Sequence, residues 1–226
     1  MNLERSASLI GGQNIDRLHE KTVMVVGVGG VGSFCVEALA RSGIGHLILI
    51  DKDVVESSNI NRQLIALADT IGQNKVDVLK ERIHKINPNC NVDTYKIFYD
   101  RSQNEMIFQE SIDFVIDCID SIQSKMDLIE ACLERNIPFL SSMGTARRMD
   151  PTRLKIMELE KTSYDPIAKR LRTWKRKQRI RQKIWVVSSD EPAIPVQKDQ
   201  PLPSMIFVPA TAGIILANTC VQKLIK

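Results

Sequence analysis

The sequence predicts an α/β fold with a doubly wound, mostly parallel sheet and an antiparallel C-terminal extension. Three observations carry this. The runs "TVMVVGV" (22–28) and "HLILID" (46–51) are short, apolar and largely β-branched, as strands buried on both faces must be. Between them lie a glycine cluster and the amphipathic segment "VGSFCVEALARSG". The same alternation of strand and helix recurs to about residue 145, and βαβ units in series give a Rossmann-like sheet with right-handed crossovers.

Each element has its own local reason. The helix after the first strand places Val31, Phe34, Cys35, Ala38 and Leu39 on one face and stops at Gly43, a suitable C-cap. "NKVDVLKERIHKIN" is amphipathic at helical spacing and ends before Pro88, and "NVDTYKIFY" alternates as a strand does. "SIDFVIDCID", "SKMDLIEACLERN" and "IPFLSS" continue as buried strand, helix and strand. Past Gly144 the character changes: "RLKIMELE" alternates like an exposed antiparallel strand, "DPIAKRLRTWKRKQRI" is a basic helix, and "KIWVVSS" is another strand. Residues 190–203 carry Pro192, Pro195, Pro201 and Pro203 and read as a loop. "SMIFVPATAGIILANTC" is broken by Pro209, two threonines and Gly213, falls short of the roughly 20 apolar residues that span a bilayer, and fits a buried strand followed by a helix. The expectation is one domain over residues 1–226, with a nucleotide-binding core at about 20–145 and a substrate-facing part at about 146–226.

With 43% apolar and 26% charged residues in 226, the chain has the composition of an ordinary soluble globular protein. Its N-terminus lacks the charged flank, apolar core and cleavage site of a secretory signal, so a cytoplasmic location with no membrane attachment is expected. The five cysteines are odd in number and form no Cys-x-x-Cys pair, which argues against a zinc ribbon or a disulfide framework and for reduced thiols packed as small hydrophobes. The net charge of +4 is unevenly spread: nine Lys and Arg crowd into positions 169–183, with no acidic residue from Pro166 to Ser189. Such a block marks a surface for polyanions.

Gly27, Gly29 and Gly32, with Gly30 between them, form G-x-G-x-x-G after a strand and before a helix, where backbone amides and the positive helix terminus meet a phosphate. Asp51 ends the second strand, where a carboxylate takes ribose hydroxyls. Both features suit NAD and ATP alike. The discriminating stretch is "DKDVVESSNINRQ". Glycine amides alone serve a dehydrogenase, whereas polarising an α-phosphate for attack calls for Arg, Lys and a metal. Asp53, Asn59 and Arg62 follow Asp51, Lys75 opens the next helix, and Asp117 ends the strand "FVIDCID". In such a sheet these positions converge on one edge, so Asn59, Arg62, Lys75 and Asp117 are expected to face one crevice as an ATP and magnesium site. Asp120 is expected to cap the helix that follows.

The ordered set "GVGGVGS", "IDKDVVESSNINRQ", "IGQNK" and "VIDCID" resembles the ubiquitin-activating-enzyme-like superfamily, the ThiF/MoeB/HesA group of adenylyltransferases. The resemblance implies that Asp51 binds the ribose of ATP, that Asn59, Arg62 and Lys75 bind its phosphates, and that Asp117 carries Mg²⁺. It also implies a homodimer, because Arg5 in "LERSASLIGG" falls where members have an arginine that reaches the partner subunit's ATP. Members adenylate a carboxylate. Those serving ubiquitin-like sulfur carriers often add zinc-binding Cys-x-x-Cys pairs and a cysteine after the core, and this chain has no cysteine between Cys132 and Cys220.

In "ALARSGIGHLILIDKD", "RIHKINPNC", "MDPTRLKIMELEKTSYDPIAKRLR" and "VPATAGIILA" the chain is similar to bacterial tRNA threonylcarbamoyladenosine dehydratases. That resemblance implies adenylation of the threonine carboxylate on a modified adenosine, then ring closure by the neighbouring carbamoyl group. No enzyme nucleophile is needed when the attacking group is already held on the substrate. Residues 169–183 would then bind tRNA, and some relatives point to a sulfur-trafficking protein partner. For Trp174 and Trp185, beside the basic run, stacking on an unpaired base and packing against the core both stay open. The main alternative is an adenylyltransferase for a ubiquitin-like sulfur carrier. An NAD-dependent oxidoreductase is disfavoured, because His19, His46 and His84 all lie early and leave no proton donor after the core.

Overall fold

The computed structural model describes residues 1–197, 200 and 202–226. Two helices that the sequence reading did not include, α1 (Glu4–Ile10) and α2 (Gly12–His19), precede the sheet. The core then runs β1 (Thr22–Val26), α3 (Gly32–Arg41), β2 (His46–Ile50), α4 (Lys75–Ile86), β3 (Asn91–Tyr95), the short α5 (Asn104–Ile107), β4 (Phe114–Asp117), α6 (Ile122–Glu134) and β5 (Phe139–Ser142). The C-terminal part adds β6 (Leu154–Glu158), α7 (Pro166–Lys177), β7 (Trp185–Ser189) and α8 (Phe207–Leu224).

These strands form one seven-stranded sheet in the order β3-β2-β1-β4-β5-β7-β6, parallel except for the β6–β7 pair. The expected antiparallel extension is therefore an edge pair whose strands are connected through α7 and which joins the parallel core through β7. The central strands are buried on both faces, which is why their sequences are continuous apolar runs. In β1, Val23 and Val25 pack into the cluster with α3 and α8, while Met24 and Val26 pack into the opposite cluster beneath α6. A third cluster joins α6, α7 and β7 around Ile129, Leu171, Trp174 and Val186. Trp174 is thus a core residue, and Trp185 stays partly exposed on β7.

Two details differ from expectation. On α3 the buried apolar side chains are Cys35, Val36, Leu39 and Ala40, with Val31, Phe34 and Ala38 only partly covered. The segment expected as strand then helix is one helix from Phe207, preceded by no strand. Pro209 sits in its first turn, where a missing N–H costs no hydrogen bond. Gly213 is what lets α8 approach α3: a Cβ there would lie 2.3 Å from the Val31 carbonyl oxygen. Of the loop expected at 190–203, residues 198, 199 and 201 lie outside the described residues, and the described remainder holds neither helix nor strand.

Candidate active site

Reversal of strand order between β1 and β4 opens a crevice at the C-terminal edge of the sheet, of about 640 Å³. Its two walls come from different halves of the chain. One is built by the loop after β1, the segment after β2 and the start of α4. The other is built by the loops after β4 and β5 and by the start of α7.

The glycine loop divides its labour. Gly27 has φ +84°, and a Cβ on it would meet the Cys118 carbonyl oxygen at 2.7 Å. Gly32 starts α3 so close to the loop that a Cβ would lie 1.9 Å from the Gly27 carbonyl oxygen. These two glycines permit the turn. Gly29 and Gly30 instead line the crevice, with the nearest atoms to a Cβ no closer than 3.5 Å, and leave room for a ligand.

Asp51 sits at the end of β2 with one carboxylate oxygen accepting from the Val28 amide at 2.8 Å and the other from the Asp53 amide at 2.9 Å. It ties the glycine loop to the second strand. Asp53 in turn accepts from the Nζ of Lys75 at 2.9 Å, and Lys75, although nearly buried, lines the crevice at the start of α4. Asn59 is buried in a short 3₁₀ turn (Ser57–Asn59) that it caps itself, its Oδ1 accepting from the Glu56 amide at 3.2 Å. Arg62 is fixed by donation from Nη1 to the Ser58 carbonyl and to Asn61 Oδ1, both at 2.8 Å, and its side chain stays partly exposed on the crevice wall. Beyond β3, Ile97 and Phe98 add an apolar patch, with the Lys52 ammonium 5.1 Å from the Phe98 ring centre.

Asp117 does not join this set. It is 1% exposed, and its carboxylate accepts from Lys125 Nζ at 2.8 Å, from the Ser141 hydroxyl at 2.6 Å and from the Ile119 amide at 3.0 Å. Lys125 is itself fully buried and also donates to the Ser142 carbonyl at 3.0 Å. The reason is register: Asp117 is the last residue of β4, paired with Ser141 inside the sheet, and not the first residue beyond it. The carboxylate that reaches the crevice is Asp120, exposed on the following loop and without a hydrogen-bond partner among the described residues. Nor does Asp120 cap the next helix, whose N-cap position is Ser121.

Arg5 lies on the exposed α1 and outside the crevice of its own chain. Three further crevice residues escaped the sequence reading. Gln63 is 8% exposed with an Oε1 that has no partner among the described residues, and it directly follows Arg62. Arg147 and Arg148 follow β5; no periodic signal marks them, since they lie in a loop.

None of the five thiols is placed in surroundings that favour a thiolate. Burial pushes the thiols of Cys35, Cys118, Cys132 and Cys220 far above the ordinary cysteine range, and that of Cys90 up to about 11. Cys118 lines the crevice, and the buried Asp117 carboxylate beside it opposes a thiolate further.

The ThiF family profile matches residues 3–226. A tRNA threonylcarbamoyladenosine dehydratase of Bacillus subtilis is 44% identical over 238 aligned positions, covering 98% of this chain and 94% of that protein. Two solved structures of the E. coli tRNA N6-threonylcarbamoyladenosine dehydratase superpose closely. The complex with AMP has a TM-score of 0.92 at 35% identity, covering 98% of this chain and 92% of the other. The complex with ATP has a TM-score of 0.91 at 33% identity, covering 98% and 93%.

Proposed function

The chain belongs to the ThiF family, and from that premise we propose that it is an ATP-dependent tRNA threonylcarbamoyladenosine dehydratase. What carries the reading is the degree of likeness over almost the whole length, 44% identity to the Bacillus subtilis dehydratase and a TM-score of 0.92 to the E. coli one. The sulfur-carrier alternative asks for a cysteine relay, whereas four of the five cysteines here are buried and the fifth, Cys118, has its thiol pushed up by desolvation and by the neighbouring Asp117 carboxylate.

In this reading the nucleotide lies against the wall of the crevice formed after β1 and β2. Asp51 is placed to accept from the ribose hydroxyls, and Ile97 and Phe98 offer the base an apolar surface. The amides around Gly29 and Gly30 and the N-terminus of α3 face the phosphates. Arg62 and Lys75 supply charge-assisted donors where negative charge builds up on the α-phosphate. Asp53 fixes the position of the Lys75 ammonium while leaving its other hydrogens free.

Magnesium fits the residues present through Asp120, a single unengaged carboxylate at the mouth of a phosphate site, the donor set this hard cation accepts alongside phosphate oxygens. When bound there it would neutralise phosphate charge. Asp117, with its oxygens shared among Lys125, Ser141 and the Ile119 amide, is not available for that role. The threonyl carboxylate is activated as an acyl-adenylate with release of pyrophosphate. The carbamoyl group then attacks the same carbonyl carbon, AMP leaves, and the nucleoside has lost one water. Proximity within one nucleoside supplies the effective concentration that an enzyme nucleophile would otherwise provide.

tRNA is the partner that suits the basic segment 169–183. On α7 and the turn after it Lys169, Arg170, Arg176, Lys177, Arg179 and Arg181 are exposed, whereas Lys175 and Lys183 are engaged by Glu160 and Glu158. The exposed position of Arg5 suits a homodimer in which it would reach the nucleotide of a second copy. A sulfur-trafficking partner and a cytoplasmic location complete the proposal; among the described residues no helix is long and apolar enough to cross a membrane.

The test is incubation with ATP, Mg²⁺ and tRNA bearing threonylcarbamoyladenosine, followed by mass spectrometry of the nucleosides. Loss of one water from the modified nucleoside, dependent on ATP and abolished by Arg62→Ala, is the expected outcome. Activation of a diglycine-ended protein tail in place of tRNA would move the assignment to the sulfur-carrier enzymes.

A further inference from the structure

We propose that Arg147 receives the carboxylate of the modified nucleoside and so selects modified over unmodified tRNA; the inference rests on the dehydratase reading. Arg147 lies on the loop after β5, on the wall of the crevice opposite Asp51 and Lys75. Its φ is +65°, in the left-handed region that an arginine seldom enters, and such backbone conformations persist where the surroundings hold them for a purpose.

Three bonds do the holding. The Arg147 amide donates to the Pro203 carbonyl at 2.8 Å, its carbonyl accepts from the Ile194 amide at 2.9 Å, and its Nε donates to the Ile194 carbonyl at 2.6 Å. The root of the guanidinium is thereby fixed, while Nη1 and Nη2 have no partner among the described residues. The adjacent Arg148 is the contrast. It is buried and fully engaged, with Nε on the Gly144 carbonyl at 3.1 Å, Nη1 on the Ser189 and Glu191 carbonyls, and Nη2 on the Tyr164 carbonyl and Asp165. Arg148 builds the loop, and the Arg147 before it keeps an unpaired fork among the described residues.

Electrostatics gives that fork a task. A carboxylate that attacks an α-phosphate must approach another anion, and the cations Arg62 and Lys75 stand on the nucleotide wall. On the opposite wall, among the described residues, the acids are Asp120 and the Asp165 already paired with Arg148. A planar guanidinium there matches a carboxylate with two parallel N–H bonds, offsets the repulsion, and leaves an unmodified adenosine with nothing to offer it.

The experiment compares wild type with Arg147→Gln, Arg147→Lys and Arg147→Gly, the last chosen because glycine accepts the left-handed backbone. Turnover of modified tRNA, the KM for ATP, melting temperature, and binding of modified and unmodified tRNA are measured. The expected result for Arg147→Gln is a rise of about 10- to 100-fold in KM for modified tRNA, the loss typical of a hydrogen bond to a charged group, with the KM for ATP unchanged. Its affinity for modified tRNA should fall to that for unmodified tRNA, Arg147→Gly should behave likewise, and Arg147→Lys should recover part of the difference. Equal weakening toward both tRNAs would assign Arg147 to a backbone phosphate and overturn the proposal. So would a general loss of melting temperature and ATP binding in all three variants, or unchanged kinetics in an active enzyme. Failure of wild type itself to dehydrate the nucleoside would instead remove the dehydratase reading, and this inference with it.

Discussion

Asp117 is buried, and its charge is held by Lys125 at 2.8 Å and by the hydroxyl of Ser141 at 2.6 Å. Removing one charge of such a pair strands the other. Asp117→Asn is therefore expected to cost about 3–5 kcal/mol of stability, read from urea unfolding followed by circular dichroism. Asp120, three residues on and exposed to the crevice, behaves oppositely: Asp120→Asn should leave the unfolding midpoint in place and remove the Mg²⁺-dependent activity. If Asp117→Asn were as stable as wild type, the buried ion pair would not be what joins the end of β4 to α6. The glycines divide in the same way. Gly32→Ala forces a methyl against the Gly27 carbonyl and should destabilise by about 1–3 kcal/mol, the range of overpacked sites. Gly30→Ala has space, so its cost should appear in ATP affinity, measured by calorimetry, with little change in melting temperature.

Between elements, α3 and α4 are clamped by Glu37, whose carboxylate accepts from Arg82 Nε at 2.7 Å and from Arg41 on its own helix. Burial opposes ionisation of Glu37, but the hydrogen bonds from Arg82 and Arg41 outweigh it and hold its carboxyl below the ordinary glutamate range. A carboxylate more acidic folded than unfolded stabilises the fold above the unfolded pKa, and that contribution is lost as the pH falls through and below the ordinary glutamate range. Glu37→Gln should cost about 1–2 kcal/mol at neutral pH, and the gap to wild type should narrow toward pH 3.5 in parallel thermal melts. An equal gap at both pH values would mean that packing, not charge, joins the helices. The helices and strands of the core were legible because each is a local periodic pattern, period 3.6 or a continuous apolar run bounded by glycine. Two things were not. α1 buries no side chain and α2 only Ile15 and Leu18, so each is too short to repeat its pattern over several turns, and α8 is apolar nearly all round because α3 covers it on one side and the sheet on another. Local pattern cannot tell such a segment from a strand.

On the scale of the molecule, one side of the C-terminal part carries the exposed basic residues of α7 and the turn beyond it. The combined substitution of Arg176, Lys177 and Arg179 by alanine should weaken tRNA binding and reduce the slope of log affinity against log salt by about 2, as expected for up to three lost phosphate contacts. A slope unchanged over roughly 50–200 mM salt would place the tRNA elsewhere. Composition located this block, and the fold then sorted it: Lys175 and Lys183 are tied to glutamates and Trp174 is in the core.

By itself the sequence determined the parallel sheet, the glycine turn, and the placing of Asp51, Arg62 and Lys75 around one crevice, because strand ends and helix starts share an edge whenever βαβ units are wound in series. Only the tertiary structure decided which of Asp117 and Asp120 faces the crevice and which of Arg147 and Arg148 keeps an unpaired fork among the described residues. A side chain at a strand end or in a loop turns toward water or core according to where neighbouring elements supply a partner. Lys125, Ser141, Asp165 and Ile194, which settle these choices, reach their positions through folding and not through any spacing along the chain.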